Sequence, residues 1–424
     1  MPASPSTARA INDRLALDLL QQEGPLTAGQ LKQLTGLSRP TVADLVERLA
    51  ASGLITVVGE AGERRRGPNA RLYGIVADRA YLAALDVRTE SVSVLVSDLV
   101  GRVLAEGSVP VGPEAGTASA VEQAVELVER AVKEAGVSGE GRLHTVGIGA
   151  PGLVDPGTGE LRDSAGLPGW HRRLVAALQE RFPKARVGVE NETNLAALAE
   201  QREGVAQDRD TFVLLWLGDS CGAAVVLDGR LRRGASGGTG EIGFLPVPGT
   251  TTLPSATDCS GGYHSLVGAA AVAELAAEYG LMGEEADATA VARVVGEAVR
   301  LAPHRGAGNC ATSRNATADD RRADLAPPAE HAARFLDVLA DRIALGVAAI
   351  VAVLDPGCAA LGGEIGAAGG AALAARVEER LRRMSPLATE VRASALGGAA
   401  VLRGALLTAR ERAQDELFAP PDRG

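Results

Sequence analysis

The stretch VENETNLAAL, residues 189–198, places several polar side chains where an apolar segment gives way to an alanine-rich one. Its two carboxylates and two amides can exchange hydrogen bonds with a small polar molecule. A carboxylate in such a place could also take a proton from a bound hydroxyl, which is general base catalysis. The stretch therefore poses a choice between a catalytic site and a pocket that only senses a ligand.

The elements around this stretch are those of an α/β protein. ARVGVE is typical of a strand and the alanine-rich segment after it of a helix, so the polar groups lie at a strand-to-helix turn. From residue 80 onward, two successive β-β-β-α-β-α patterns predict a duplicated body with a cleft between its halves. The second pattern ends in the strand-like CAALGGEIG and a helix after Leu396-Gly397-Gly398. We expect two lobes, at about 80–195 and 196–424, with a mobile surface loop at 302–327.

The composition excludes several classes of protein. The 424 residues suffice for two or three domains, and 46% hydrophobic residues with only 3% aromatic ones indicate an aliphatic core. The net charge of −10 argues against a surface that binds nucleic acid throughout, but residues 1–79 hold ten Lys/Arg against eight Asp/Glu. Four scattered cysteines, no apolar leader and a longest apolar run of twelve residues predict a cytoplasmic protein with no disulfide framework or membrane span.

Residues 1–79 predict a winged helix-turn-helix. Thr27 and Ser38 are good N-caps for two successive helices, with Gly36 between them and Leu31 and Leu34 facing inward. The preceding helix has one apolar stripe, formed by Ile11, Leu15, Leu19 and Leu20. After the last helix, LITVVGEAGERRRGPNARLYGI consists of two β-rich runs joined by a Gly-rich and Arg-rich turn, which is typical of a wing.

Seven residues of this module are candidates for contacts with double-stranded DNA. A recognition helix meets base edges with its first turn, and a basic wing meets phosphates or a minor groove. The candidates are Ser38, Arg39 and Thr41 on the helix, and Arg64, Arg65, Arg66 and Arg71 on the wing and the arm that follows it. The alternative is a winged helix that binds protein, with the arginines in a solvated loop. The position of the charge on the wing favours DNA.

The chain resembles the ROK family, which is named for repressor, open reading frame and kinase. Besides the winged helix, the resemblance rests on VGIGAPGLVDPGTGEL, LPGW, VENETNLAALAE, GRLRRGASGGTGEIG, LDPGCAALGGEIG and LGGAAVLRGALLTA, in this order over nearly the whole chain. It implies an actin-like or hexokinase-like body of two α/β domains. It also implies a sugar in the cleft and, in the kinases of the family, ATP beside the sugar.

The chain departs from the kinases of the family in both phosphate loops. The first loop of these kinases, Asp-hydrophobic-Gly-Gly-Thr, corresponds to residues 86–90, DVRTE, so both glycines are lost and Glu90 adds a negative charge. Glycine lets backbone N–H groups close on a phosphate, and no residue with a Cβ does this as well. The second loop, residues 218–222, reads GDSCG and departs less from the usual Gly-x-Gly-x-Gly.

The base of these kinases is also changed. Glu192 stands where the family has the Asp that takes a proton from the sugar, and its side chain is one methylene longer. In-line proton transfer is sensitive to displacements of about 1 Å. We therefore expect no catalysis and no cofactor, and the stretch at 189–198 to belong to a sensor's pocket.

We also expect no metal. The family's structural zinc is held by one His and three Cys, and those positions are Phe244, Thr257, Cys259 and His264 here. Two ligands do not make a tetrahedral structural site. Leu266 and Gly166 also stand where the family has sugar contacts. The ligand contacts that the resemblance then implies are Asn191, Glu192 and Glu241.

These features predict a DNA-binding repressor of carbohydrate-related genes with a catalytically silent, sugar-sensing body. Its expected partners are a DNA operator, a sugar or sugar-phosphate effector and a second copy of the chain, because a two-fold operator matches a homodimer. Two alternatives stay open. One is a sugar kinase that kept a DNA-binding domain, which activity with ATP would reveal. The other is a regulator controlled by a protein partner, which a sugar screen would separate from a sugar sensor.

Overall fold

The computed structural model describes residues 5–61, 70–112, 116–137, 139, 141–162, 168–255, 260–282, 287–302 and 327–419. The candidates Arg64, Arg65 and Arg66 lie outside the described residues, as do Gly166, Thr257 and Cys259 and nearly all of the loop expected at 302–327. No helix in the described ranges is long and apolar enough to cross a membrane. The chain forms two compact units: residues 1–148, 173–188 and 405–424, and residues 149–172 and 189–404. The lobe boundary near 195 and the boundary at residue 79 stay predictions.

The first unit begins with a winged helix. Its elements follow one another as α1 (Pro5–Gln22), β1 (Leu26–Thr27), α2 (Ala28–Thr35), α3 (Arg39–Ala51), β2 (Ile55–Ala61) and β3 (Ala70–Ile75). Strands β2 and β3 form a hairpin, and β1 pairs with β3. Thr27 caps α2 in a capping box with Gln30, and Gly36 ends that helix in a left-handed conformation, φ 70°. Ser38 caps α3, with Pro40 in its first turn. The predicted caps are confirmed.

The faces of these helices differ from the expectation at three leucine or isoleucine positions. Leu31 is buried, but Leu34 is 50% exposed, and on α1 Ile11 and Leu15 are 58% and 41% exposed while Leu17 is buried. The stripe on α1 is therefore only partly covered. α1 has 18 residues and α2 only 8, so α2 cannot cover the whole length of α1. Leu34 lies only about 60° around the helix axis from Leu31, on the same side of α2, but it is one residue before the end of the helix.

The first unit continues with a five-stranded sheet. Its strands are β4 (Tyr81–Val87), β5 (Ser91–Asp98), β6 (Val103–Pro110), β7 (Leu143–Ala150) and β8 (Arg186–Asn191), and its helices are α4 (Thr117–Glu134) and α5 (Trp170–Arg181). The strand order is β6-β5-β4-β7-β8, with β4, β5 and β6 antiparallel. Six of the seven residues of β4 are buried, which agrees with its apolar sequence, and Asp86 is the one charged residue among them.

The second unit repeats this sheet. It contains α6 (Glu192–Glu203), β9 (Phe212–Leu217), β10 (Cys221–Leu227), β11 (Arg230–Arg232), α7 (His264–Val267), α8 (Ala269–Glu278), α9 (Ala288–Leu301), α10 (Pro327–Leu354), β12 (Cys358–Gly362), α11 (Gly363–Met384), β13 (Glu390–Ala393) and the start of α12 (Ala400–Leu417). The strand order is β11-β10-β9-β12-β13. Numbered along the chain within each sheet, the strands of both sheets follow the order third, second, first, fourth, fifth. The duplicated α/β body is confirmed.

The segment that begins at Cys358 agrees only in part with the strand that the sequence predicts. CAALGGEIG is not a strand throughout, because β12 ends at Gly362 and α11 begins at Gly363. Neither α11 nor β13 was predicted. The first turns of α11 are rich in glycine, a poor helix former, and Gly370 interrupts the helix with φ 52° and ψ −153°. Burial of residues such as Ile365 and Leu373 in the core of this unit stabilises the helix despite its sequence.

Candidate functional site

The polar stretch lies at the junction of β8 and α6, as expected. Asn191 is the N-cap of α6, and its Oδ1 accepts from the backbone N–H groups of Thr193, at 2.9 Å, and Asn194, at 3.2 Å. Its Nδ2 donates to the Gly152 carbonyl at 3.0 Å. These bonds use the amide oxygen and one of the two amide hydrogens, so the side chain offers a ligand one donor.

Glu190, next to Asn191, holds the junction together. Its side chain is only 10% exposed. One carboxylate oxygen, Oε1, accepts from the Asn191 backbone N–H at 3.0 Å and from Asn194 Nδ2 at 2.9 Å. The other, Oε2, accepts from Arg233 Nε at 2.7 Å. Sequence reasoning missed this role because Arg233 lies 43 residues further along the chain and has no motif that links it to Glu190.

A glycine-rich loop, residues 233–241, packs near the same junction. A Cβ at Gly237 would overlap the carbonyl oxygen of Val154, so the loop lies directly against the turn at 152–156. Gly240, with φ 91°, leaves no room for a side chain beside the backbone of Ala223. The loop ends at Glu241. Glu241 is an exposed residue by its accessible surface, but the protein atoms packed near its carboxyl desolvate it partly and raise its pKa.

The three predicted ligand contacts lie on segments that the fold brings together within the second unit. Glu192 is the half-buried first residue of α6, where the helix N-terminus favours negative charge. The next residue, Thr193, lies beside Gly222 of β10, and Gly240 accepts a hydrogen bond from Ala223 of the same strand at 2.8 Å. Strand β10 is thus flanked by the segments that contain Glu192 and Glu241. We call the turn 152–156, the segment 190–194 and the loop 233–241 the effector segments.

Residues 86–90, which correspond to the first phosphate loop of the family's kinases, lie in the first unit. Two side chains of this loop contact each other. Arg88 Nε lies 3.1 Å from Asp86 Oδ2, and Asp86 is 5% exposed. The Arg88 backbone N–H donates to the Ser91 carbonyl at 2.8 Å. A cation of the chain therefore lies against one carboxylate oxygen of Asp86.

Residues 218–222, which correspond to the second phosphate loop of the family's kinases, lie in the second unit. Two carboxylates, Glu364 and Asp219, lie at this loop. Glu364 Oε2 lies 2.6 Å from the place where a Cβ at Gly218 would be. Asp219 Oδ1 accepts from the Ala288 backbone N–H at 2.8 Å. Two carboxylates of the chain therefore lie at this loop.

The region that corresponds to the family's zinc site keeps few ligating groups. Phe244 is 38% exposed, and burial lowers the pKa of His264. Within the described residues, no group of three or more His, Cys, Asp and Glu side chains is arranged to hold a metal ion. The expected absence of zinc stays a prediction because Thr257 and Cys259 are not described.

The winged helix exposes most of the described DNA-contact candidates. Ser38 and Arg39 at the start of α3 and Arg71 on β3 are exposed, and Thr41 is half-buried. The Ser38 hydroxyl accepts from the Thr41 backbone N–H at 3.3 Å and lies 2.8 Å from the Thr41 hydroxyl. The two hydroxyls are therefore partly engaged with each other.

A winged helix followed by two sheets of equal strand order defines a class of two-part α/β proteins with an N-terminal helix-turn-helix module. The model of the ROK family matches residues 82–412, and the model of the MarR family matches residues 11–66. The chain belongs to the ROK family. The resemblance found in the sequence and the fold class that it implied are confirmed.

Individual relatives agree with this assignment. The chain is 25% identical to a xylose repressor of Caldicellulosiruptor bescii over 56% of its length and 59% of the relative's. It is 27% identical to the DNA-binding transcriptional dual regulator NagC of Escherichia coli, over 56% of the chain and 58% of NagC. The matched region thus spans about three-fifths of either relative.

Solved structures extend the fold similarity to the whole chain. A ROK family transcriptional regulator described as a homolog of the E. coli MLC protein superposes with a TM-score of 0.69, at 19% identity, over 97% of this chain and 98% of its own. A ROK hexokinase of Thermus thermophilus superposes with a TM-score of 0.58, at 27% identity, over 79% of this chain and 99% of its own. The fold is therefore shared by regulators and kinases.

Proposed function

We propose that the chain is a sugar-responsive transcriptional repressor that binds a DNA operator through its winged helix and does not phosphorylate its ligand. The observation that carries the proposal is a winged helix joined to a ROK body whose two phosphate loops hold charged side chains of the chain itself. The names of the two curated relatives, a xylose repressor and a transcriptional dual regulator, support the same function.

The DNA contacts that we propose are all seven candidates of the winged helix. Exposed Ser38 and Arg39 lie at the start of the helix that would enter the major groove, and Arg71 lies on the wing. The chain binds its operator as a homodimer, because one winged helix alone contacts too few base pairs for a specific site.

Removal of wing charge tests this interface. Replacing Arg64, Arg65 and Arg66 with Ala should weaken binding to specific and random DNA alike, since phosphate contacts carry no sequence information. It should also flatten the dependence of affinity on salt. The matched control replaces three exposed arginines of the second unit, Arg230, Arg293 and Arg300. Equal salt dependence in both triple variants and in the unmodified protein would show that the wing does not bind phosphate.

The ligand contacts that we propose are Asn191, Glu192 and Glu241, with a sugar as the effector. The effector segments supply carboxylate acceptors and one amide donor, which suit hydroxyl groups. A thermal-shift screen with sugars identifies the effector, because a ligand that binds the folded state raises its apparent stability. A screen in which no sugar stabilises the protein, with DNA binding intact, would instead favour a regulator controlled by a protein partner.

The kinase alternative is tested with ATP. The similarity of the fold to a hexokinase keeps this alternative in view, whereas Arg88 and Glu364 disfavour it. We expect no sugar-dependent consumption of ATP by the purified chain. Consumption that requires sugar and disappears in Glu192→Gln would establish a kinase.

A further inference from the structure

A cavity of about 490 Å³ lies within the second unit, bounded by residues 248–249 and by the helices α7, α10 and α11. Its volume falls in the range of pockets that enclose small molecules, roughly 300–1,000 Å³. Of the described residues that line it, none belongs to the effector segments. A molecule bound here would therefore be a second ligand, in addition to the sugar that we propose.

Half of the residues that line the cavity have apolar side chains. They are Pro248, Leu266, Val338, Leu345 and Met384. Val338 and Leu345 pack against the core of the unit but are only partly buried, and Met384 is 45% exposed. Removing apolar surface from water is favourable, so a ligand whose apolar body covers these side chains gains affinity from the contact.

The cavity is also lined by three arginines, of which two are paired with carboxylates of the chain. Arg380 is only 15% exposed, and it donates from Nε to Asp341 at 2.6 Å and from Nη2 to Asp337 at 2.8 Å. Arg383 forms an ion pair with Glu379 one turn earlier on α11. The charges of these two arginines are therefore compensated within the fold.

The third arginine, Arg342 of α10, has only neutral partners. It is half-buried, and its Nη1 donates to the backbone carbonyls of Leu266 and Ala271, both at 3.2 Å. Within the part of the chain that the structure describes, its Nε and Nη2 have no hydrogen-bond partner and its guanidinium forms no ion pair. The edge of a guanidinium that carries Nε and Nη2 matches the two oxygens of a carboxylate.

We propose that this cavity binds a small organic anion with an apolar body, of the class of aliphatic or aromatic carboxylates. The carboxylate pairs with Nε and Nη2 of Arg342, and the body lies against Leu266, Leu345 and Met384. The inference goes beyond the proposed function and is independent of it, because it uses no residue of the winged helix or of the effector segments. A ligand in this place contacts α7, α10 and α11 at once and stabilises their packing.

Probes that differ only in head group or chain length test the site. Calorimetry on the full chain compares butyrate, hexanoate and octanoate with the alcohols of the same chain length and with octylamine. We expect affinity for the carboxylates to rise about fourfold for each CH₂ group that the cavity buries. Each carboxylate should bind at least about tenfold more tightly than its alcohol, because it pairs with Arg342. Octylamine should bind more weakly than 1-octanol, because its cation is repelled.

Two variants assign the binding to this cavity. Arg342→Gln keeps an amide donor but removes the charge, so the preference for octanoate over 1-octanol should disappear. Val338→Trp fills the cavity and should weaken both probes by at least about tenfold. Arg300→Gln is the control, because Arg300 is exposed in the same unit and does not line the cavity. Thermal unfolding checks that the variants fold. If Arg342→Gln does not fold, the comparison of octanoate with 1-octanol in the unmodified protein and in Val338→Trp still decides.

The outcomes of these measurements separate the inference from the proposed function. Equal affinity for octanoate and 1-octanol overturns the inference, as does the absence of binding by all three carboxylates. Octanoate affinity that is unchanged in folded Arg342→Gln or Val338→Trp overturns it as well. Each of these results leaves the sugar-responsive repressor intact. A sugar screen without a hit would count against the repressor's sugar effector and would leave binding of octanoate at the cavity unaffected.

Discussion

At the scale of single residues, Asn191 has a structural role in addition to the ligand contact that we propose for it. Its oxygen caps α6 and its nitrogen bonds to the Gly152 carbonyl, so a substitution changes the helix as well as the pocket. Loss of effector binding in Asn191→Ala would therefore not by itself identify a ligand contact.

Paired substitutions at Asn191 separate the two roles. Asn191→Ala should lower the free energy of unfolding by about 1 kcal/mol, the usual cost of a lost N-cap. Asn191→Ser keeps a capping oxygen and should retain most of that stability, while both variants lose the amide donor. Chemical denaturation without effector measures the cap, and calorimetry measures the donor. Equal stability of the two variants would contradict the capping role.

Glu241 predicts a pH dependence. Burial raises the pKa of its carboxyl, so the folded protein favours the protonated form more than the unfolded chain does. At the proposed site, hydroxyl groups of the effector would donate to the ionised carboxylate, and affinity should therefore fall as pH falls through this raised pKa. Calorimetry across that range measures the effect, with Glu241→Gln as the pH-insensitive control. Identical pH profiles in the two proteins would show that Glu241 does not contact the effector.

The pH dependence that Glu241 gives to the stability of the fold has the opposite direction to that of effector affinity. Because the folded-state pKa lies above the unfolded one, ionised Glu241 costs stability once the pH exceeds both values. Glu241→Gln should thus unfold at the same temperature as the unmodified protein, or a higher one, at neutral pH. Its effector affinity should nevertheless fall by up to about tenfold, because the neutral amide oxygen of Gln accepts a hydrogen bond more weakly than a carboxylate does.

At the scale of elements, α3 connects local capping with recognition. Ser38 caps the helix and is exposed at the end that would face DNA. Ser38→Asp keeps a good cap but adds a negative charge, so DNA affinity should fall without loss of stability. Ser38→Ala should lose about 1 kcal/mol of stability instead. Unfolding and DNA titration of both variants distinguish the effects, and tight DNA binding by Ser38→Asp would place this helix end away from the phosphates.

Elements with strong local signals were predictable from the sequence. The caps at Thr27 and Ser38, the strand before Glu190 and the duplicated sheets follow from residue types and periodicity. Helix α11 was missed because its glycine-rich first turns favour no element, and burial against neighbouring helices decides its structure. The Glu190–Arg233 pair was missed for another reason: it depends on the loop 233–241 returning to β8, and no local pattern reports that return.

At the scale of the molecule, the residues of helix α12 are divided between the two units. Residues 400–404 of α12 belong to the second unit, where Gly404 packs against the backbone of Leu195 in α6. The loop before α12 is held by buried Glu200 of α6, which accepts from the Leu396 backbone N–H at 3.0 Å and from the Ser394 hydroxyl. The helix is thus anchored to the element that begins at the effector segment.

The other end of α12 contacts the winged helix within the first unit. Arg14 of α1 lies 2.7 Å from Asp415, and Gln414 Nε2 donates to Gln21 Oε1 at 2.7 Å. Gln414 also donates to the Leu99 carbonyl at 3.3 Å. Because α12 contacts α6 near its start and α1 near its end, we expect it to couple effector binding with DNA release.

Weakening the far end of α12 should uncouple the two ligands. In the double variant Gln414→Ala, Asp415→Asn, effector affinity and DNA affinity measured separately should stay near those of the unmodified protein. The factor by which effector lowers DNA affinity should fall, and by linkage the factor by which DNA lowers effector affinity should fall equally. Glu411→Gln is the control, because it changes an exposed residue of α12 that is not among the contacts with α6 and α1 described above. If both variants keep the full coupling factor, the signal does not pass through α12.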